Sequence, residues 1–349
     1  MHTLDAGVFY ESILPGLKAQ RVPSSAMFEL TYGCNFRCVH CNNPTHRARP
    51  EELSTAEACR VLDEVAELGV FLVTFTGGEL FTRPDVLTIL EHAKRVGLIV
   101  DIFTNASLLT DELVARLNEL GVREISVSIY GASEETFDRV TGVRGSYRRF
   151  VRGLQALSHS TATVTVRIPL MTLNVHEVDA AKAFVEGMGF IFRFFLEIEP
   201  GQNGDLRPLQ YRLDPQAQID VLRNLRPDAL PAALPASSIV SDEFLTCDCG
   251  KDRFAITPYG QMNLCVSFPI PRYDVRTGTI RDGWKVLQDT ARNAKPNEHD
   301  ECPSCDLKTF CYQGRADAWL ETGDMSVCLP NFKELAARRK AEATRGPAV

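Results

Sequence analysis

The chain has 349 residues, 44% of them hydrophobic and 24% charged, an ordinary globular composition with length for one large domain and a smaller one. Its formal net charge of -7 comes without a basic run, so it carries no electrostatic footprint for nucleic acid. No apolar stretch approaches a membrane span, and the N-terminus lacks the charged-then-apolar pattern of an export signal. The expected compartment is therefore the cytoplasm, where eleven cysteines read as metal ligands rather than disulfides.

Residues 1–25 form a short leader. Ala26–Thr31 reads as a first strand. Ser54 and Glu57 make a capping box, each side chain satisfying an orphan amide, and open a helix to about Leu68. Val70–Thr76 is a second strand, 84–96 a helix and Leu98–Phe103 a third strand. Thr110 caps the next helix, with Asp111 and Glu112 in the first turn where acids suit the dipole. Ile125–Ile129, Ala162–Leu170 and Phe192–Ile198 continue the strands, with helices between. Strands alternating with helices at this spacing predict parallel βα units. Six such units between about residue 26 and residue 200 predict a barrel-like parallel sheet, closed or open, with chemistry at the C-terminal strand ends. A helix over 213–226, a linker over Pro227–Pro235 and an exposed basic helix over Phe332–Lys340 complete the chain.

The loop after the first strand holds Cys34, Cys38 and Cys41 at the spacing Cys-x3-Cys-x2-Cys. Thiolates select soft metals and iron–sulfur clusters. A structural zinc site and a 4Fe–4S cluster both normally take four protein ligands. Three close cysteines therefore point to a cluster with one iron open to a non-protein ligand; the competing reading is a zinc loop with a distant fourth ligand. At the end of strand two stands Gly77-Gly78-Glu79. Paired glycines let a ligand approach bare backbone, and the carboxylate could accept from an ammonium group. Alone this segment would be an ordinary βα turn.

Together, the cysteine triplet after strand one and the Gly-Gly-Glu after strand two resemble the radical S-adenosylmethionine (radical SAM) enzymes, over about residues 26–200. The resemblance implies an α/β fold, a partial (β/α)6 TIM-like barrel. It also implies a 4Fe–4S cluster held by Cys34, Cys38 and Cys41, its open iron chelated by SAM, and Gly77, Gly78 and Glu79 holding the SAM amino group. His40 falls where the family usually has an aromatic beside the adenine. Asn105 and Ser128 match strand-end positions that commonly touch the SAM ribose or carboxylate, and Arg167 is a weaker candidate. The cofactors would carry the radical chemistry while the barrel orients and excludes water.

Seven cysteines crowd into the region from Cys247 to Cys328, around a predicted hairpin tip at Pro258-Tyr259-Gly260-Gln261. Their order and spacing resemble the SPASM extension of a subset of radical SAM enzymes; a zinc ribbon is the competing reading. The domains expected are a leader (1–25), core barrel (26–200), helix and linker (201–240), a small cysteine-rich SPASM domain (241–330) and a C-terminal tail (331–349). By family pattern Cys302, Cys305, Cys311 and Cys328 would complete one auxiliary iron–sulfur cluster. Cys247, Cys249 and Cys265 would take a second, whose usual fourth cysteine is here Arg315. That centre would keep an open iron, be a 2Fe–2S centre, use another ligand or be absent. Cys59, in register with Leu62 and Ala66, reads as a buried structural thiol.

Ser128-Ile129-Tyr130-Gly131 and Thr141–Ser146 resemble SPASM enzymes that modify ribosomally made peptides (RiPP maturation). The function expected is oxidative cross-linking of a peptide, recognised by direct docking or through a separate leader-binding protein. Electrons would come from an external donor such as flavodoxin or ferredoxin, with no nucleic-acid or membrane partner. The alternatives are a small-molecule or cofactor-biosynthesis dehydrogenase or decarboxylase, a peptide epimerase, a sulfatase-type maturase, or a non-enzymatic iron–sulfur electron carrier. Without a spare thiol near the site, epimerisation loses ground.

Overall fold

The computed structural model describes residues 13–43, 45–226 and 243–345. The first twelve residues of the leader and the predicted linker lie outside them. The six predicted strands all form: β1 (Ser25–Thr31), β2 (Leu72–Gly77), β3 (Ile99–Thr104), β4 (Glu124–Ser128), β5 (Thr163–Pro169) and β6 (Ile191–Phe195). Each pairs in parallel with the next, and among the described residues β6 is an edge, so the barrel formed by them is open. Register explains the burial. One face carries the row Phe28, Phe75, Ile102, Ile125 and Val164, all buried under helices. The opposite, concave face carries Glu29, Thr76, Asp101, Glu124, Ser128 and Arg167. This is the period-two alternation of a strand with one apolar face.

The connecting helices are α2 (Thr55–Glu67), α3 (Val86–Arg95), α4 (Asp111–Glu119), α5 (Glu134–Thr141), α6 (Ser146–Ala156) and α7 (Val178–Gly187), after a short α1 (Leu14–Ala19). The predicted capping box is present: Ser54 Oγ accepts from the Glu57 amide at 3.3 Å, and Glu57 accepts from the Ser54 amide at 2.8 Å. Thr110 Oγ1 caps α4 by accepting from Leu113 N at 3.2 Å. Asp214 caps α8 (Pro215–Leu225) at 2.8 Å. β6 stops at Phe195, three residues before the predicted end; Glu197 accepts from the Leu196 amide at 3.1 Å and takes that amide out of any ladder.

The cysteine-rich region joins the same sheet. β7 (Arg253–Ile256) lies parallel to β1, Ser25 facing Arg253, and β8 (Gln261–Asn263) and β9 (Tyr273–Asp274) continue it antiparallel. The predicted hairpin tip is in place: Gly260 N donates to Thr257 O at 3.0 Å with Gly260 at φ +76°. Further along are α9 (Ile280–Asn293), α10 (Arg315–Thr322) and α11 (Pro330–Arg345). Trp284 Nε1 and Gln288 Nε2 of α9 donate to the Arg21 carbonyl at 3.2 and 2.8 Å, tying the leader down. The C-terminal helix is not simply exposed: Leu335, Ala336 and Arg339 are buried, and Leu335 packs with Ile219 and Leu222 of α8. Among the described residues no helix is long and apolar enough to cross a membrane.

Candidate active site

The cysteine loop is fastened from three sides. From β1, Asn43 Nδ2 donates to Tyr32 O at 2.9 Å. From below, Arg37 N and Val39 N donate to the Thr141 and Val140 carbonyls at the end of α5, at 2.8 and 2.9 Å. The Thr141–Ser146 segment thus supports the loop and does not line the cavity. From β2, Gly78 N and Glu79 N donate to Thr31 O and Gly33 O at 2.7 and 2.8 Å. Gly77 sits at φ +133°, and a Cβ at Gly77 or Gly78 would overlap the carbonyl oxygens of Thr31 or Gly33. The glycine pair is therefore demanded first by the chain's own backbone, and ligand access follows from it.

These elements enclose a cavity of about 350 Å³ at the C-terminal ends of the strands. Cys34, Cys38, His40 and Cys41 line one wall, and Gly77, Gly78, Asn105 and Ser128 the next. Burial raises all three thiols: Cys34 moderately, Cys41 to about 12 and Cys38 well above the thiol range. Burial outweighs the Arg37 charge beside Cys34, so the free thiols stay protonated, and a metal bound there would hold them as thiolates. The His40 ring is held near 4 by burial, stays neutral, and leaves its Nδ1 buried without a partner. His40 and Tyr130 lie ring to ring at 5.3 Å. Such an aromatic wall with a spare nitrogen suits a planar, hydrogen-bonding ligand.

Two sequence-predicted residues are placed elsewhere. Glu79 is fully buried beneath the cavity and is not among its lining residues. It accepts from Asn105 N at 2.7 Å, Thr104 Oγ1 at 2.9 Å and Phe81 N at 3.2 Å, clamping the end of β3, and burial pushes its carboxyl up to about 7. Arg167 lies over the Phe103 ring at 5.0 Å and pairs with Glu124 at 3.4 Å, one layer below the cavity. Asn105 is locked: its Nδ2 donates to Asn35 Oδ1 at 2.9 Å and its Oδ1 accepts from Ser107 Oγ at 2.6 Å. Sequence reasoning missed Glu29, buried and pushed up to about 7 by burial, with Tyr32 donating to it at 3.2 Å. It also missed Glu197 and Glu199, which line the wall beyond β6. The strand-end rule that flagged Asn105 and Ser128 would have found them had the sixth strand been ended correctly.

The C-terminal thiols fall into two groups. Cys302, Cys305, Cys311 and Cys328 line one cavity of about 610 Å³. Cys247, Cys249 and Cys265 lie close enough to perturb one another, and Cys265 reaches a cavity on the concave face beside Met27 and Thr74. Arg315 stacks over Phe244 at 4.2 Å and pairs with buried Asp300 at 3.1 Å, lining the four-cysteine cavity. Cys59 is half-buried on α2 and belongs to neither group.

Residues 28–185 match the family model described as "Radical SAM superfamily". The "PqqA peptide cyclase" of Rhodopseudomonas palustris is 34% identical over 337 residues, covering 88% of this chain and 86% of that one. The chain belongs to the radical SAM superfamily and is an enzyme of it, using SAM and a 4Fe–4S cluster. The "AdoMet-dependent heme synthase" of Methanosarcina barkeri is 29% identical over 327 residues, 86% of this chain and 94% of that one. In fold, the crystal structure of Streptococcus suis SuiB bound to precursor peptide SuiA superposes with a TM-score of 0.70 at 14% identity, over 90% of this chain and 77% of that one. The relatives of this chain thus include both a peptide cyclase and a heme synthase, and SuiB shares its fold.

Proposed function

We propose that this enzyme matures a ribosomally made peptide by oxidative cross-linking, and that Cys34, Cys38 and Cys41 hold the cluster at which SAM binds. The observation that carries the reading is the coexistence of that pocket with two further thiol groups in a chain similar over most of its length to a peptide cyclase. When bound, the reduced cluster and SAM supply a hydrogen-abstracting 5′-deoxyadenosyl radical, and auxiliary clusters held by the C-terminal thiols supply an electron acceptor. The chain's residues do the rest. Gly77 and Gly78 present bare backbone to the SAM amino group, while Glu79 acts indirectly by fixing Asn105. Neutral His40 and Tyr130 flank the adenine, with His40 Nδ1 free to hydrogen-bond. Ser128 contacts the ribose or carboxylate from β4. Glu197 and Glu199 face the substrate side, where closing a bond releases a proton that a carboxylate can take. Cytoplasmic location and an external flavodoxin- or ferredoxin-type donor complete the reading.

A second reading, a small-molecule substrate in cofactor biosynthesis, is supported by the heme synthase likeness. One experiment separates them. The reduced enzyme is incubated with SAM and precursor peptides, and products are read by mass spectrometry. A peptide product lighter by two hydrogens supports cross-linking. SAM cleavage coupled only to loss of carbon dioxide from a small molecule overturns it.

A further inference from the structure

Among the described residues the helical layer continues beyond β6 and the sheet does not. α8 and α11 pack on each other, on the outward-facing Phe194 of β6 and on Leu196 just beyond it, in the layer where helices cover strands elsewhere. No described strand stands in front of them, since β6 is the sheet's edge. The space left is a slot of about 460 Å³. Its wall includes every residue from Phe192 to Glu197, so the strand's backbone edge itself is presented.

Which backbone groups face the slot follows from register. Leu170 N donates to Phe195 O at 2.9 Å, so alternate residues Ile191, Arg193 and Phe195 bond toward β5. Phe192 and Phe194 turn their amides and carbonyls to the slot, which Leu196 beyond the strand also lines. Two groups along this stretch are met by adjoining side chains: Phe192 O by Arg193 at 3.4 Å, and Leu196 N by Glu197 at 3.1 Å. An unpaired edge of this kind is a template for another strand. Lys182, Arg193, Arg226 and Arg339 line the slot against Glu186 and Glu197, an excess of positive charge. Phe195 and Glu197 line both the slot and the active-site cavity, so the two adjoin across them.

We propose that the slot receives an acidic, apolar-punctuated segment of the peptide substrate, added to β6 as a further strand leading into the cavity. This rests on the peptide reading above. A second copy of the chain is a poorer occupant, because pairing β6 with its own copy would set two basic walls against each other.

The test uses the full chain without reduction or SAM, and a fluorescein-labelled synthetic peptide of alternating glutamate and valine as probe. Anisotropy should show binding that weakens roughly tenfold in the Lys182→Glu/Arg193→Glu double variant. N-methylation of alternate probe amides should weaken it comparably, and lysine in place of glutamate should abolish it. Phe194→Pro, which removes a slot-facing amide, should act like the N-methylated probe. Equal binding of the N-methylated probe, equal binding of the lysine probe, or a dimer that excludes the probe would each overturn the proposal. Should the probe behave as stated while no peptide is ever turned over, the slot stands and the substrate reading falls. Should a peptide product form at unchanged efficiency in both protein variants, the slot falls and the substrate reading stands.

Discussion

The cysteine loop after β1 and the thiol groups near the C-terminus are built in different ways. The first is tied mainly through backbone: bonds from β2 and α5 fix it, with one side-chain bond from Asn43 to Tyr32 O, and the carbonyls of Thr31 and Gly33 leave no room for a side chain on the neighbouring glycines. The second hangs on side-chain clamps. Asp300 accepts from Cys302 N at 3.2 Å and from Arg315 at 3.1 Å, and Gln313 donates to Val327 O and accepts from Leu329 N, each at 2.8 Å. The difference teaches that the SAM pocket is as rigid as the barrel, whereas the four-cysteine group depends on a few polar contacts and on whatever binds it.

Five substitutions probe that contrast. Cys34→Ala should reduce 5′-deoxyadenosine formation to background in an anaerobic chromatographic assay. Gly78→Ala should cost upwards of about 4 kcal/mol in denaturant unfolding, since backbone and not a flexible side chain stands in the way. Gly187→Ala on α7, where a Cβ meets nothing within 4 Å, should be neutral or mildly stabilising. Cys311→Ala should keep uncoupled SAM cleavage and lose product, read by comparing 5′-deoxyadenosine with modified substrate. Arg315→Met strips the partner from Asp300, 5% exposed, and should cost about 3–5 kcal/mol. Its signature is faster chelator release of iron from the C-terminal groups, with SAM cleavage retained.

The smallest effect is a pH dependence. Burial holds the Glu79 carboxyl near 7, above its unfolded value of 4.5. A raised carboxyl contributes stability that is complete below 4.5 and lost as pH rises through about 7. Relative to Glu79→Gln, the metal-free protein should therefore lose on the order of 1–3 kcal/mol between these values, followed by thermal melts across the range.

Much of the barrel was legible because local signals agree with the fold. Ser54 and Thr110 cap the helices they announce, and the strands alternate as a one-sided sheet requires. The cysteine spacing and the Gly-Gly-Glu pointed to one pocket for a chemical reason, the open iron of a three-thiol site. Three features were not legible. β7 spans Arg253–Ile256 and finds β1 from more than two hundred residues away, a pairing no local pattern encodes. Glu79 reads as a ligand from sequence, yet its hydrogen bonds to Thr104 and Asn105 exist only once β3 stands beside β2. Arg315 reads as a lost ligand, but its partners Phe244 and Asp300 come from distant parts of the chain.

The central claim is that three thiol groups serve iron–sulfur chemistry around a SAM pocket. It is tested most directly by anaerobic reconstitution with iron and sulfide, metal counting, reduction and assay of 5′-deoxyadenosine. About twelve iron per chain are expected, or roughly eight if the Cys247 group holds none, with SAM cleavage that disappears in Cys34→Ala. Bound zinc, no iron and no cleavage would contradict it.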